Sequence, residues 1–588
     1  MRRTFASSSL LKGAGVAALL TACDPAIPTE DGSHPLPTST TGGHSTASST
    51  SGNFGGMGGM GGMPNSTAAT MATTAVTVGS SSSTGSGMGG GCSGGEPTVE
   101  TVGSNVKILL KGTVLVPSGP ISGEVLISGN LIACVGADCS AMATGATVID
   151  THGVISPGLI DAHNHILFDI MDETDWQPPT DPNGMLHAYG NHNQWGSAPG
   201  YSEMVDAKQT LNGEIGAGFD LGCELDKFGE MKGLVAGTTS IQASAGTDAC
   251  FGSISRTIDI SSNDLPADKI QTSTLAPTQS SAHNACLNIA NDVTDAYVVH
   301  IAEGTDTTAH NEFMKLFTIS ADPGPPPTSA GCLYAPETSI IHGTALNDAD
   351  FITMGMNQMQ IIWSPRSNVF LYGHGTDLTK TTDIQAAMSH GVLVSIAPDW
   401  SMGGSQNMLD EMRYADYVDD NRWGNMLSKQ KIWEMATINP AKALHVDQYV
   451  GSLIVGKRAD IAVFVGDQAT PFDAILDATP REVSMVFVDG RLLYGDLGLE
   501  QAIAPPNSAC EALDICCRPK VACVAETSGT AANKLNQSYA QFKGILDQAI
   551  VDYDASTQYK ADGVTVYHDP ATAPKFAPIT PLVRCPTP

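Results

Sequence analysis

Between Gly32 and Gly95 the sequence contains no Asp, Glu, Lys or Arg. These 64 residues are mostly Gly, Ser, Thr and Ala, with GGMGGMGGM at 55–63. Such a stretch buries too little apolar surface to offset the entropy of ordering it, and is predicted to be a disordered linker. As a coil it would span about 40–50 Å. Basic residues are also scarce, 29 Lys and Arg against 60 Asp and Glu, for a net charge of −31. That balance argues against binding nucleic acid by phosphate neutralisation. Apart from the N-terminus, no segment approaches the about 18 uninterrupted apolar residues that cross a bilayer. The rest, 41% hydrophobic, is rich enough to build a large domain with appendages.

The N-terminal MRRTFASSSLLKGAGVAALLTAC reads as an export signal. A basic front (Arg2, Arg3, Lys12) precedes an apolar run too short to span a membrane. Leu20-Thr21-Ala22-Cys23 resembles the bacterial lipobox, which implies cleavage before Cys23 and lipidation of its thiol. Arg2-Arg3-Thr4-Phe5 resembles a twin-arginine signal, a route for proteins exported already folded. The expected location is the periplasmic or cell-surface side of a membrane, with the domain tethered by lipid. Of the 13 cysteines, 12 remain beyond Cys23, and in an oxidising compartment they are expected to form disulfides. Cys134 and Cys139 suit a local bridge. For Cys510, Cys516, Cys517, Cys523 and Cys585 the connectivity is open, and a thiolate zinc knot is the less favoured reading.

Short alternating segments, KILLKGTVLVPS, GEVLISGNLIACVG and ATVIDTHGVISPG, predict β-strands after Glu96. Matching strands return after residue 450 in DIAVFVGD and VSMVFVDGRLLYGD. The two flanks therefore predict a small composite β-sandwich domain, 96–157 plus 451–500. Between them, eight apolar runs alternate with helical patterning: VISPGLIDA, LVAGTTSIQ, SISRTID, KIQTSTLA, AYVVHIA, TSIIHG, MQIIWSP and VLVSIAPD. Eight βα units predict an α/β fold, a (β/α)8 TIM-like barrel over 158–450, with chemistry at the C-terminal strand ends. Residues 1–23 are then the signal peptide, 24–95 the linker, and 501–588 a Cys-rich extension. In that extension Leu535, Tyr539, Phe542, Leu546, Ile550 and Tyr553 repeat at helical spacing.

Polar residues end several of these strands. The first delivers His163 and His165, which alternate onto one face. The fifth ends in His300, with Glu303 just beyond, the sixth in His342 and the eighth in Asp399. Three imidazoles and one carboxylate suit Zn²⁺ or another first-row divalent ion such as Fe or Mn. Such an ion acidifies a bound water, and a neighbouring acid can protonate a leaving group.

PGLIDAHNH, HIAEG, IHGTALND, SPRSN at 364–368 and APDWSMGGSQNMLDEMRYA, closed by ATINPAKAL and GSLIVGKRADIAVF, resemble the amidohydrolase superfamily. The likeness is to its cytosine-deaminase-like and triazine-hydrolase-like branch, over roughly residues 105–495. It implies that His163, His165, His300 and Asp399 hold a single metal and that Asp399 takes a proton from the bound water. Glu303 is implied as the general acid–base, and His342 as the group steadying the developing oxyanion. Binuclear relatives use a lysine ending the fourth strand. Here Lys269 opens that strand, so one metal is expected.

Trp400 stands where the family often has a small residue, and is expected to narrow the pocket. The long loop after His165 carries His187 and His192, read as solvated residues that could also meet substrate. Arg366 and Asn368 are candidates for substrate contact or for structural hydrogen bonding. Asp169, Asp172, Glu173 and Asp175 are expected near the mouth, favouring cationic or neutral ligands. PGPPPTSAGC at 323–332 is an inserted rigid loop. The expected function is hydrolysis of non-peptide carbon–nitrogen bonds in a small molecule, with deamination of a nitrogen heterocycle favoured by the His300/Glu303 pair. Cyclic-amide or imidazolone hydrolysis is the enzymic alternative, and a catalytically inactive surface-binding lipoprotein the alternative of another class. Substrate identity and oligomeric state are not written in the sequence.

Overall fold

The computed structural model describes residues 96–585 except 217, 244–253, 261–264, 266–268, 274, 320–330, 527–535 and 561. The export signal, Cys23, the linker, most of the 323–332 insert and Leu535 lie outside the described residues.

The first flank supplies β1 (Thr98–Thr101), β2 (Ser104–Val116), β3 (Gly119–Ser128), β4 (Leu131–Gly136) and β5 (Ala146–Pro157). Alternation in β2 sorts its side chains. Ile108, Leu110 and Val114 enter one core with Val125, Ile461 and Phe487, while Leu109 faces a second cluster with Leu126 and Cys139. Each such aliphatic side chain contributes about 1.5–3 kcal/mol when fully buried.

The central segment supplies eight more strands, one in each predicted run. They are β6 (Leu159–Asp161), β7 (Thr238–Ile241), β8 (Arg256–Thr257), β9 (Ile270–Ser273), β10 (Ala296–Ile301), β11 (Thr338–His342), β12 (Gln360–Trp363) and β13 (Leu393–Ile396). They form two parallel arcs, β6-β7-β8 and β9-β10-β11-β12-β13. Helices Thr307–Ile319, Asp348–Met356, Pro365–Tyr372 and Met408–Val418 follow the later strands. The arcs meet just beyond β6 and β13, where Asn164 bridges Asp399 in parallel. There His165 N donates to Asp399 O at 2.7 Å and Asp399 N to His163 O at 3.2 Å. Among the described residues no pairing joins β8 to β9. Ile160 and Ile258 from one arc share a core with Val298, Ile341 and Ile362 from the other.

The second flank supplies β14 (Ile461–Phe464), β15 (Val483–Val488), β16 (Arg491–Asp496), β17 (Ser508–Ile515) and β18 (Arg518–Glu526). Both flanks hydrogen-bond as one ten-stranded sheet, in the order β17-β18-β16-β15-β14-β5-β2-β3-β4 with β1 on β5. The two flanks of the expected composite domain are joined in one hydrogen-bonded sheet, because β14 pairs with β5 along Ile461–Pro157 to Phe464–Val154, and their strands share one core. The sheet also runs past residue 500, since β17 and β18 extend it through β16.

A buried ion pair ties β8 to this sheet. The Arg256 guanidinium meets the Asp460 carboxylate, and its Nη2 lies 3.0 Å from Asp489 Oδ2. That contact explains the Asp of GKRADIAVF.

The C-terminal extension returns to the central segment. Helix Tyr539–Ala555 buries Phe542, Leu546, Ile550 and Tyr553 and packs on helix Gly222–Leu234. Thr580 N donates to Ile170 O, Thr580 Oγ1 to Asp172 Oδ2, and Arg584 pairs with Asp172 and Glu173. Disulfides join Cys134 to Cys139, Cys286 to Cys332, Cys510 to Cys523 and Cys516 to Cys585. Cys223 is disulfide-bonded as well, whereas Cys517 is exposed and free. The extension is therefore bridged internally, and a zinc knot of its thiolates is excluded by these pairings. No helix among the described residues is long and apolar enough to cross a membrane.

Candidate metal centre

His163, His300, His342 and Asp399 are all buried, and one potential ligand atom from each lies within 4.8 Å of the others. His163 Nε2 is 3.1 Å from Asp399 Oδ1 and His342 Nε2 is 4.0 Å from Asp399 Oδ2. His165 stands at the open edge, its Nε2 3.5 Å from Asp399 Oδ1 and its ring half-stacked on His300 at 5.5 Å. The structure therefore gathers all five expected side chains but draws His342 into the tight group and leaves His165 at its rim.

Local backbone makes this possible. Asp161, buried at the end of β6, accepts from His163 N at 3.1 Å and from Asn164 Nδ2 at 2.9 Å. His342 and Asp399 adopt left-handed backbone, with φ of 64° and 73°. Behind the imidazoles, Gln242 Oε1 meets His163 Nδ1 at 3.3 Å, and Asn368 Nδ2 meets His342 Nδ1 at 3.0 Å. Ser367 Oγ donates to Asp399 Oδ2 at 2.5 Å. Such outer contacts fix ring orientation and ligand basicity.

Electrostatically the ligands are ready for a cation. Burial and the neighbouring His163 pull His165 down to about 4, and burial with the same crowding holds His300 far below its ordinary range. Neutral imidazoles are the form that binds metal. Burial would raise Asp399, but His342, His163 and His165 outweigh it and hold the carboxyl well below its usual value. His300 Nδ1 is buried without a hydrogen-bond partner. A buried orphan nitrogen is costly unless something binds it, and His300 is one of the four side chains of the cluster. The residues present fit a divalent ion.

Glu303, 4% exposed, lies beside this group, its Oε1 3.8 Å from His342 Nε2. Tyr372 donates to the same oxygen at 2.7 Å. Burial acts to raise Glu303, but His342 and a hydrogen-bonded His192 bring it below its ordinary value.

The loop after β6 differs from expectation. His192 is buried, not solvated, with Nδ1 3.5 Å from Glu303 Oε2 and Nε2 2.6 Å from Glu312 Oε1. Burial opposes its charge, yet the two carboxylates raise it to about 10. His187 is exposed and only stacks edge-on against Tyr189. Trp400 is buried among Trp176, Trp195 and Tyr201, with its ring 6.3 Å from His165. Its predicted narrowing role thus acquires three aromatic partners.

Two expected substrate contacts point elsewhere. Asn368 is fully buried, and its amide is consumed by His342 and Thr381, so it supports the centre from behind. Arg366 lies over the Tyr414 ring and lines a separate cleft of about 360 Å³ with Arg413 and Arg584. The acids expected at the mouth are engaged too. Asp172 and Glu173 hold Arg584, and Asp169 is buried near Lys232. Lys269 pairs with Asp292 at 3.3 Å, at the opposite end of β9 from the strand-end chemistry.

Parallel strands that present clustered imidazoles and a carboxylate at or just beyond their C-terminal ends define an α/β scaffold built around a cluster able to hold a metal ion. Residues 373–493 match the amidohydrolase family. The 5-methylthioadenosine/S-adenosylhomocysteine deaminase of Saccharophagus degradans is 26% identical over 178 residues, 29% of this chain and 39% of that protein. Guanine deaminase of Escherichia coli is 26% identical over 183 residues, 28% of this chain and 38% of that one. The S-triazine hydrolase of Gordonia rubripertincta is 27% identical over 165 residues, 26% and 33% of the respective chains. The matches thus span roughly two fifths or less of these relatives' lengths. A crystal structure of a mutant atrazine chlorohydrolase from Arthrobacter aurescens, complexed with zinc and atraton, aligns with a TM-score of 0.51. It is 15% identical and covers 68% of this chain and 96% of its own, a likeness of fold. Over these stretches the chain is similar to members of the amidohydrolase family.

Proposed function

We propose that the protein is a metal-dependent hydrolase of non-peptide carbon–nitrogen bonds, with deamination of a nitrogen heterocycle as the favoured reaction. The observation that carries this reading is the convergence of His163, His300, His342 and Asp399 within 4.8 Å, with Glu303 beside His342. The relatives named deaminases and triazine hydrolase support it. One divalent ion, with zinc as the proposed identity, would supply Lewis acidity and acidify water at neutral pH. His163, His300 and Asp399, with His165 or His342, would hold it. Asp399, kept ionised by the surrounding imidazoles, would serve as an anionic ligand and is placed to receive the proton of a bound water, and Glu303 to carry one to a leaving nitrogen. His342 is placed to stabilise charge developing on the attacked centre.

The two arcs are proposed to be one (β/α)8 barrel. Their shared core residues and the Asn164–Asp399 bridge support closure. Export as a lipoprotein tethered through Cys23 is proposed as well. Its disulfides are the support, since such bonds persist in oxidising compartments.

The test is metal analysis of purified protein followed by ammonia release from a heterocycle panel. One zinc per chain, lost in His163→Ala together with activity, is the expected result. Ring opening without ammonia redirects the reading to cyclic amides, and a metal-free, inactive wild type overturns it. Replacement of Cys23 by Ala, read by fatty-acid labelling, checks the tether separately.

A further inference from the structure

Two hydrogen-bond relays converge on Glu303 from outside the cluster of imidazoles. In the first, Trp195 Nε1 lies 3.1 Å from Tyr372 Oη, which in turn lies 2.7 Å from Glu303 Oε1. An indole N–H can only donate, so the Tyr372 oxygen accepts from it, and the single phenolic proton goes to Glu303. In the second, Glu312 Oε1 holds His192 Nε2 at 2.6 Å, while His192 Nδ1 faces Glu303 Oε2 at 3.5 Å. Glu312 is anchored by its other oxygen, which accepts from Ala302 N at 3.0 Å.

The loop bearing His192 is fastened to the segment it serves. His192 N donates to Glu303 O at 3.2 Å, Asn191 bridges Gly304, and Asn191 Nδ2 donates to Asp306 Oδ2 at 2.7 Å. Gly304 has φ of +140°, and a Cβ there would lie 2.4 Å from Gly190 O. Only glycine permits that approach, which accounts for the last residue of HIAEG.

We infer that His192 is a positioning residue for Glu303: with Tyr372 on the opposite oxygen, it fixes the carboxylate plane that faces His342. The loop after β6 thereby contributes to proton transfer, although the proton carrier itself follows β10. This inference rests on the hydrolase reading for its consequence in turnover, but the contact itself can be read without turnover.

The test uses full-length, zinc-loaded protein. His192→Ala is expected to lower kcat roughly 10- to 100-fold, a fraction of what general acid–base catalysis supplies, with KM and zinc content close to wild type. His192→Asn returns an N–H near the Nδ1 position and is expected to recover most of the loss. Independently of activity, ¹⁵N-histidine labelling is expected to show a downfield His192 Nε2–H signal that moves in Glu312→Gln and in Glu303→Gln. A kcat within twofold of wild type in His192→Ala, a loss that tracks zinc, or failure of Asn to restore turnover overturns the assignment. Should the wild type hydrolyse no substrate, the hydrolase reading fails, and the two NMR shifts alone uphold or overturn the His192–Glu303 contact.

Discussion

At the scale of single residues, the centre stores backbone strain. His342 and Asp399 sit in left-handed conformations that cost about 1–3 kcal/mol each in non-glycine residues. Neighbouring contacts over-determine them, and Asn368 is the plainest case. Asn368→Ala would leave His342 Nδ1 buried without its partner, a loss of about 1–3 kcal/mol. The expected outcome is a lower unfolding midpoint together with reduced turnover at unchanged KM. Glu411 gives a pH signature of its own. Burial raises it to about 8, against a serine donor and the Arg366 amide that act to lower it. An acid with a raised folded pKa adds no penalty below its ordinary value near 4.5, but stability falls as pH rises toward 8, because only the unfolded chain ionises. Glu411→Gln is expected to flatten the decline in melting temperature between pH 5 and pH 8. Legibility follows the same division. The imidazoles and Asp399 could be read because metal chemistry restricts residue type and spacing. His192 and Tyr372 could not, because their meaning depends on a loop folding back onto Glu303.

At the scale of elements, each of the eight runs holds a strand, and the signal is plainest in β10, β11 and β12, which are fully buried and so apolar on both faces. Whether the two arcs close into the expected barrel is beyond reach of pattern alone, because pairing between arcs is a tertiary matter. The continuity of the flanking sheet is illegible for a related reason. Alternation reveals which face of a strand is apolar, but not whether β5 and β14 will lie side by side. Arg256 shows how the two layers are fastened. It is 1% exposed and faces two carboxylates; Arg256→Ala leaves Asp460 as an uncompensated buried charge, while Asp489 keeps Arg458 at 3.4 Å. A destabilisation of about 3–5 kcal/mol is expected from denaturant unfolding. Adding Asp460→Asn to that variant should cost less than the sum of the two single changes.

At the scale of the whole molecule, the C-terminal tail reaches back across most of the chain. Thr580 and Asp172 are 408 residues apart, and Cys516 and Cys585 are separated by 69. A bridge closing a loop of that size constrains the unfolded chain by about 4 kcal/mol on chain-entropy grounds. Cys585→Ser is expected to lower the melting temperature and to expose the segment around Asp172 to protease sooner than the rest. No local pattern announces such a return, because the tail's partners are ordinary acids whose visible sequence context is a solvated loop.

The same clasp has a consequence for the order in which the protein is made. Trp176, which packs on Trp400, follows closely on Asp172 and Glu173, and these are gripped by Arg584, which lies 411 residues beyond Glu173. Until Arg584 has been added, a nascent chain therefore lacks the buckle of this aromatic cluster, however early the cluster's own residues emerge.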